Sequence, residues 1–309
     1  MFRYFIKRIL WVIPTVLLVS MLVYFAMDLT PGDPAVTKLG DSATEEQYEA
    51  MRESLGLNDP LIIRYVKYIG NVLKGDMGTS LSGNKPVWDE IIKRLWNTIY
   101  LAFASVVVAV TISLPLGILA ALRQNTWIDT FSSIISFIGM AIPNFWLGIL
   151  LIMLFSVKLG WLPSMGNNSW NSIILPAITV GTGCMASLTR TVRAAMLDVI
   201  RQDYLRTASS KGIGKRAVIL KHALKNAMIP IVTIIGTNMA GLLAGAMVTE
   251  TVFSWPGLGY LTVQAVLTGD YNMVTGCIIV TAVMMSLVLV IVDVIYGFVD
   301  PRIKAQYAK

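Results

Sequence analysis

Histidine and cysteine are nearly absent: His222, Cys184 and Cys277 are all that 309 residues contain. One imidazole cannot build a His-based metal centre, nor a relay to a second His. The two cysteines sit inside apolar runs and lack the paired spacing of a zinc site or a disulfide framework. They read as small buried hydrophobes, and no metal site is assigned. The phosphate loop is missing too, since Gly212-Ile213-Gly214-Lys215 has the wrong spacing for one. There is no His-Glu-x-x-His and no Gly-x-Ser-x-Gly, so no catalytic residue is assigned. The apolar segments carry few of the charges an ion-coupled carrier needs, and no inverted repeat is visible. Energy for uphill work would therefore come from another chain.

What is present is apolar. Hydrophobic residues make up 55% of the chain and charged ones only 14%. The length would permit two soluble domains, but the apolar residues come in long blocks, which excludes that reading. Six blocks are long enough to cross a bilayer: approximately 1–27, 98–122, 131–157, 172–196, 229–249 and 275–298. The first, with Arg3, Lys7 and Arg8 before its apolar run, outlasts a signal-peptide core and ends in a poor cleavage site, Tyr24-Phe25-Ala26-Met27. Basic residues follow the even-numbered spans: Arg123, the 190–228 loop, then Arg302 and Lys304. By the positive-inside rule both termini are cytoplasmic. The fold expected is an all-α membrane protein in two parts, 1–96 (first span plus an extracytoplasmic segment) and 97–309 (a five-helix core). A pI near 9.4 invites nucleic acid, but the charge flanks the membrane without a recognition motif, so membrane lipid is the partner expected.

The segment 28–96 is the one long polar stretch outside the membrane, with eight basic and eleven acidic residues. Thr44 and Gln47 can form a capping box for a helix through Leu55 that stops at Gly56. Asp59-Pro60 starts a second helix through Leu73, with Leu61, Tyr65, Tyr68, Ile69 and Val72 available for packing. A folded helical cap fits best.

Pro115 and Gly117 interrupt the second span, and Ile142-Pro143-Asn144 breaks the third, freeing carbonyls and allowing kinks that a pathway or mere irregular packing can use. Pro143, Asn144 and Phe145 are therefore pathway or gate candidates. Gly241 and Gly245 form a Gly-x-x-x-Gly pair that suits close helix approach, including against a second subunit, and with Glu250 they join the pathway or gate candidates. Asp293 lies close enough to the cytoplasmic interface for a structural role. After the fifth span, Glu250 through Gly259 is dense in turn chemistry: Phe253 and Trp255 suit an interfacial belt, while Pro256, Gly257 and Gly259 fix a tight path. Glu250 is either a satisfied carboxylate or part of a vestibule.

The loop from Arg190 to Met228 concentrates the charge, with nine basic residues against two acids, an excess equal to the +7 of the whole chain. Such a segment must face water, because each Lys or Arg at mid-bilayer costs about 2.5–3.5 kcal/mol. Its pattern is helix, glycine break, helix. Tyr204, Leu205 and Ala208 share a face of a short helix that Gly212 ends. Ala217, Leu220, Leu224 and Met228 then line a second helix, and Ile229-Pro230 opens the next span. An ordinary positive-inside loop explains the charge, but not two amphipathic helices hinged on glycine.

This loop resembles the cytoplasmic EAA motif of permease subunits of binding-protein-dependent ABC importers. Arg206-Thr207-Ala208 stand where Glu-Ala-Ala would be, with Gly212 in register, as in the dipeptide/oligopeptide/nickel branch. Pro31-Gly32-Asp33-Pro34, Ile142-Pro143-Asn144-Phe145-Trp146, Glu250 through Gly259, and Asp293 with Tyr296 and Asp300-Pro301-Arg302 are similar to the first-permease type of that branch. The resemblance runs nearly end to end and implies a type I importer fold with six transmembrane helices. It implies a second homologous permease subunit in a heterodimer, two ATPase subunits and an extracytoplasmic solute-binding protein. ATP and Mg²⁺ would sit on the ATPases, and no cofactor on this chain. The helix holding Tyr204, Leu205, Arg206, Thr207, Ala208 and Lys211, closed by Gly212, would be the ATPase-coupling element. Peptides are the substrate expected, with nickel chelates the alternative in the same branch. A stand-alone carrier or channel is the remote rival.

Overall fold

The computed structural model describes residues 2–30 and 32–299; Pro31, Asp300, Pro301, Arg302 and Lys304 lie outside them. Among the described residues the chain is helical. It opens with α1 (Phe2–Asp28), then a cap of α2 (Pro34–Leu39), α3 (Glu45–Ser54) and α4 (Leu61–Leu73). Next come α5 (Val87–Leu122), α6 (Trp127–Ala141) and α7 (Asn144–Leu151), which runs on in π-type turns over Ile152–Lys158. Helix α8 (Ile174–Ile200) leads to α9 (Asp203–Ser210) and α10 (Lys215–Ala217). A π segment, Val218–Ala223, joins α10 to α11 (Leu224–Gly245), followed by α12 (Met247–Val252), α13 (Leu258–Leu267) and α14 (Tyr271–Val299).

Five of these helices are long and apolar enough to cross a membrane, and α6 with α7, bent by 100° at their break, meets the same length and composition as a pair. The break falls where Pro143 denies its N–H to the helix, so the turn restarts at Asn144 with Pro143 as its N-cap. Three expected boundaries move. Helix α5 begins at Val87 rather than 98 and is 36 residues long; at 1.5 Å per residue it exceeds the ~30 Å hydrocarbon layer, so its first turns stand outside it. Helix α8 runs on to Ile200. Pro230 does not open a span: it lies inside α11, on a helical path already continuous from Lys215.

The centre is the pairing of α5 with α8. A Cβ on Gly117 would overlap Val192 and come within 2.8 Å of the Thr189 carbonyl, and one on Gly181 would meet the Ser105 carbonyl at 2.8 Å. Gly117 thus serves close backbone approach, and Pro115 is carried within an unbroken helix. Ser113 Oγ donates to the Met185 carbonyl (3.0 Å) across the same contact. Arg8 and Asp293 pair at 3.0 Å, tying α1 to α14.

The cap folds as its sequence directs. Thr44 and Gln47 form the capping box, and Gly56 takes the left-handed conformation (φ 67°) past α3. Leu61, Tyr65, Tyr68, Ile69 and Val72 are all half-buried. Tyr68 and Val72 pack on the cluster of Val87, Ile91, Leu258, Leu261 and Met273, which unites the cap with α5, α13 and α14.

Candidate functional site

Helix α9 is held by few residues. Leu205 (5% exposed) and Ala208 (9%) turn inward onto Leu188, Val192 and Met196 of α8 and onto Ala223, Ala227 and Ile231 on the way into and along α11. Its end is fixed by backbone chemistry. Gly212 has φ 80°, the Gly212 N–H donates to the Ser209 carbonyl (3.0 Å), and the Ile213 N–H donates to the Ala208 carbonyl (3.3 Å). That pair of bonds is the Schellman closure, which wants glycine at the left-handed position and an apolar residue after it; Ile213 packs on the same cluster. The space around Gly212 is open, so the demand there is on backbone conformation and not on room.

The other face of α9 is left to solvent. The Arg206 side chain is 84% exposed, and only a 4.0 Å ion pair reaches Asp203. Thr207 and Lys211 are exposed as well. Tyr204 departs from expectation: it is 41% exposed and does not share the buried face. Its hydroxyl accepts from Asn226 Nδ2 (2.8 Å), bracing α9 on the first turn of α11.

The following helix buries Val218, Ala223, Ala227 and Ile231, while Leu224 and Met228 of the expected stripe pack half-buried on the edge of the same cluster. Leu220 is 58% exposed. The spacing gives the cause: a step of five residues crosses the π segment, then steps of four continue down α11. One extra residue in that turn rotates the α-periodic stripe off the centre of the core. Arg193, counted among the charges of the loop, is instead half-buried against the bundle and tied to a buried carboxylate. Its guanidinium makes a bidentate pair with Asp129 (2.5 and 2.7 Å), joining α8 to the start of α6. Asp129 and Arg193 are distant in sequence, and no local pattern links them; this pair was not foreseen.

At the other end, α12 and α13 form a sunken hairpin. Glu250 is fully buried, accepting from Thr98 Oγ1 (2.8 Å) and the Tyr260 N–H (2.9 Å). Thr98 Oγ1 accepts in turn from the Leu258 N–H (2.7 Å). The carboxylate therefore caps the first turn of α13, where free N–H groups favour negative charge. Burial pushes the Glu250 carboxyl above its ordinary range, while the amide of Tyr260, the Thr98 hydroxyl and the amide of Gly259 draw it down. A Cβ on Gly257 would overlap that carboxylate, and one on Gly259 would meet its Oε2 at 2.9 Å. Gly257 thus makes room for the cap, and Gly259 for both the cap and the α12 backbone, whose Met247 Cα its Cβ would meet at 2.5 Å. Pro256 offers its carbonyl to Asn97 Nδ2 (2.8 Å), and Trp255 Nε1 donates to the Asn97 carbonyl (3.0 Å).

Phe253 and Trp255 are not belt residues. They are 1% and 3% exposed and pack with Leu101, Leu175 and Ala246. Their hydrophobicity reads the same in a core as at an interface, so sequence alone could not separate the two. Pro143, Asn144 and Phe145 lie together and exposed at the bend. Gly241 is exposed, with nothing within 4 Å of its would-be Cβ; Gly245 ends α11 beside Ala246.

Residues 113–305 match the family described as the binding-protein-dependent transport system inner membrane component. Residues 1–102 match the family described as its N-terminal part. The chain is 43% identical over 304 residues to the glutathione transport system permease protein GsiC of Escherichia coli K12, covering 98% of this chain and 99% of that one. It is 42% identical to GsiC of Shigella flexneri serotype 5b over the same shares. Among solved structures, the inward-facing MetNI methionine ABC transporter aligns with TM-score 0.59 at 20% identity, covering 68% of this chain and 96% of that chain. An amino acid ABC transporter crystallised with histidines aligns with TM-score 0.52 at 15% identity, over 69% and 94%. These two establish the fold alone. Matched along almost its whole length, the chain belongs to the family of ABC importer inner-membrane permeases: it is a multi-pass transport subunit, not an enzyme.

Proposed function

We propose that this chain forms half of the path by which an ATP-driven importer takes up short peptides, paired with a second permease subunit and served by two ATPases and a solute-binding protein. Glutathione, for which the GsiC relatives' transport system is named, is itself a short peptide, which supports that substrate class. Both termini face the cytoplasm in this reading, supported by the basic residues around α9.

The observation that carries the proposal is the two-sided character of α9. Its outward face is polar and exposed, while Leu205 and Ala208 rest on both α8 and the π-to-α11 segment. A push on α9 is therefore delivered to two spans at once. ATP closing the paired ATPases would draw two such helices together and favour an outward-open packing of the spans. Hydrolysis would release them to the inward-open one. The ATPase supplies the bias between two packed arrangements, and α9 transmits it. In this scheme the outer ends of the spans move on a frame set by the Glu250 cap, and solute passes near Gly241 and the Pro143-Asn144-Phe145 bend.

The test reverses charge on the exposed face only. Arg206→Glu with Lys211→Glu leaves the buried residues untouched, so the permease pair should assemble while ATPase co-purification and peptide uptake are lost. Full uptake by that variant, or flux through this chain reconstituted without ATPases, would overturn the proposal.

A further inference from the structure

Helix α4 carries more apolar surface than the protein covers. At 100° per residue, Leu61, Tyr65, Tyr68 and Val72 fall on one sector, and Ile62, Val66, Ile69 and Leu73 fall on the sector next to it. The first sector is half-buried, with Tyr65 and Tyr68 against Tyr24 of α1 (ring centroids 5.7 and 5.5 Å). In the second, Ile69 on the edge nearest the first is half-buried, but the rest is bare: Ile62 is 68% exposed, Val66 62% and Leu73 83%. Lys67, Asn71 and Lys74 lie on the opposite side and are exposed. A helix lying in water has no reason to widen its apolar arc beyond what its neighbours cover.

The depth of α4 follows from its contacts with α1. The Tyr65 hydroxyl donates to the Leu17 carbonyl (2.9 Å) and lies 2.8 Å from Ser20 Oγ. Arg64 pairs with Asp28 at 2.5 Å. Ser20 lies eight residues before Asp28, so the hydroxyl sits roughly 12 Å below the outer end of the span by helix rise. Phe25, on the same side of α1 as the exposed Leu18, Leu22 and Leu29, touches the Tyr65 ring (centroids 6.2 Å). The uncovered stripe of α4 is therefore continuous with the surface that α1 offers to acyl chains.

We infer that α4 is an interfacial membrane helix, with Ile62, Val66 and Leu73 sunk among the acyl chains of the leaflet at the Asp28 end of α1 and Lys67 and Lys74 at headgroup level. The occupant of this face is lipid, and the cap hangs from the bilayer surface instead of standing clear of it. The placement rests on α1 being a span and holds whatever the transported solute is.

The experiment uses the assembled importer in nanodiscs of phosphatidylethanolamine and phosphatidylglycerol. Spin labels are placed singly at Ile62→Cys, Val66→Cys and Leu73→Cys, with Leu22→Cys as the membrane reference and Glu53→Cys as the aqueous one; the native Cys184 and Cys277 are buried. Collision with oxygen and with the water-soluble nickel complex NiEDDA is measured at each. The expected result is an oxygen-to-nickel ratio at 62, 66 and 73 several-fold above that at 53 and close to that at 22. A water-like ratio at these positions overturns the inference. So does protection from both reagents, which would mean that a protein partner covers the stripe. Retained peptide uptake by cells carrying each cysteine variant shows that the substituted complexes fold, and loss of uptake bears on the proposed transport function and not on the placement of α4, since only the collision ratio reports lipid.

Discussion

Two of the places where short helices join the spans, on either side of α11, are treated in opposite ways. The α12–α13 hairpin is sunk into the fold: Glu250, Phe253 and Trp255 are buried, and Asn97 and Thr98 of α5 bond to four of its groups. Helix α9 is perched, held by Leu205, Ala208 and the Gly212 closure, with Arg206 and Lys211 in solvent. The first is built to stay fixed to α5. The second rests on two spans with a polar face free, and the proposed function has it gripped from outside. A joint fixed to α5 and an exposed helix resting on two spans would be the division of labour of a subunit driven from outside, as the proposed function has it.

The comparison can be broken most severely at Glu250. Glu250→Leu strands the Thr98 hydroxyl and the α13 amides, each about 1–3 kcal/mol when buried without a partner. We expect failure to assemble, or a steep fall in the thermal unfolding midpoint of the detergent-purified complex. Gly257→Ala attacks the same joint through space and should give the same phenotype with the carboxylate intact. Leu205→Ala comes next, costing about 2–5 kcal/mol for an apolar side chain removed from a core. Because α9 hangs on so few residues, that loss should appear as faster hydrogen exchange over 203–213, with the amides around Glu250 unchanged.

Gly212→Ala is smaller, about 1–2 kcal/mol for a β-carbon in the left-handed region, since no neighbour blocks it. It should loosen the end of α9 in the same exchange experiment. Smallest in stability is Arg206→Ala, whose 4.0 Å ion pair is solvent-exposed. No measurable change in unfolding is expected, but ATPase co-purification should fall. A mutation that leaves the fold intact and impairs assembly is what separates the handle from the frame.

How far the sequence led differs between these two places. The spans, the capping box at Thr44, the Gly56 stop and the Gly212 closure were legible, because each depends on residues a few positions apart. The π turn over Val218–Ala223 was not, since one inserted residue leaves composition unchanged while rotating every side chain after it. Glu250 was legible as a satisfied interfacial carboxylate or a vestibule one, but its burial was not, since its partner Thr98 stands 152 residues away. Arg193 read as loop charge because Asp129, its counter-ion, lay at the edge of another predicted span. Phe253 and Trp255 were assigned to the membrane interface on hydrophobicity, which a protein core satisfies equally well. What remained hidden was in each case a long-range contact or a change of helical phase.

The most direct measurement places a photo-activated cross-linking amino acid at position 206 in the full importer and illuminates it in membranes. A side chain that stands in the ATPase groove should yield one dominant adduct, with the ATPase subunit, and adding ATP with Mg²⁺ should change its yield. An adduct with the solute-binding protein, or none with any importer subunit, would contradict the claim that α9 is where the driving force enters.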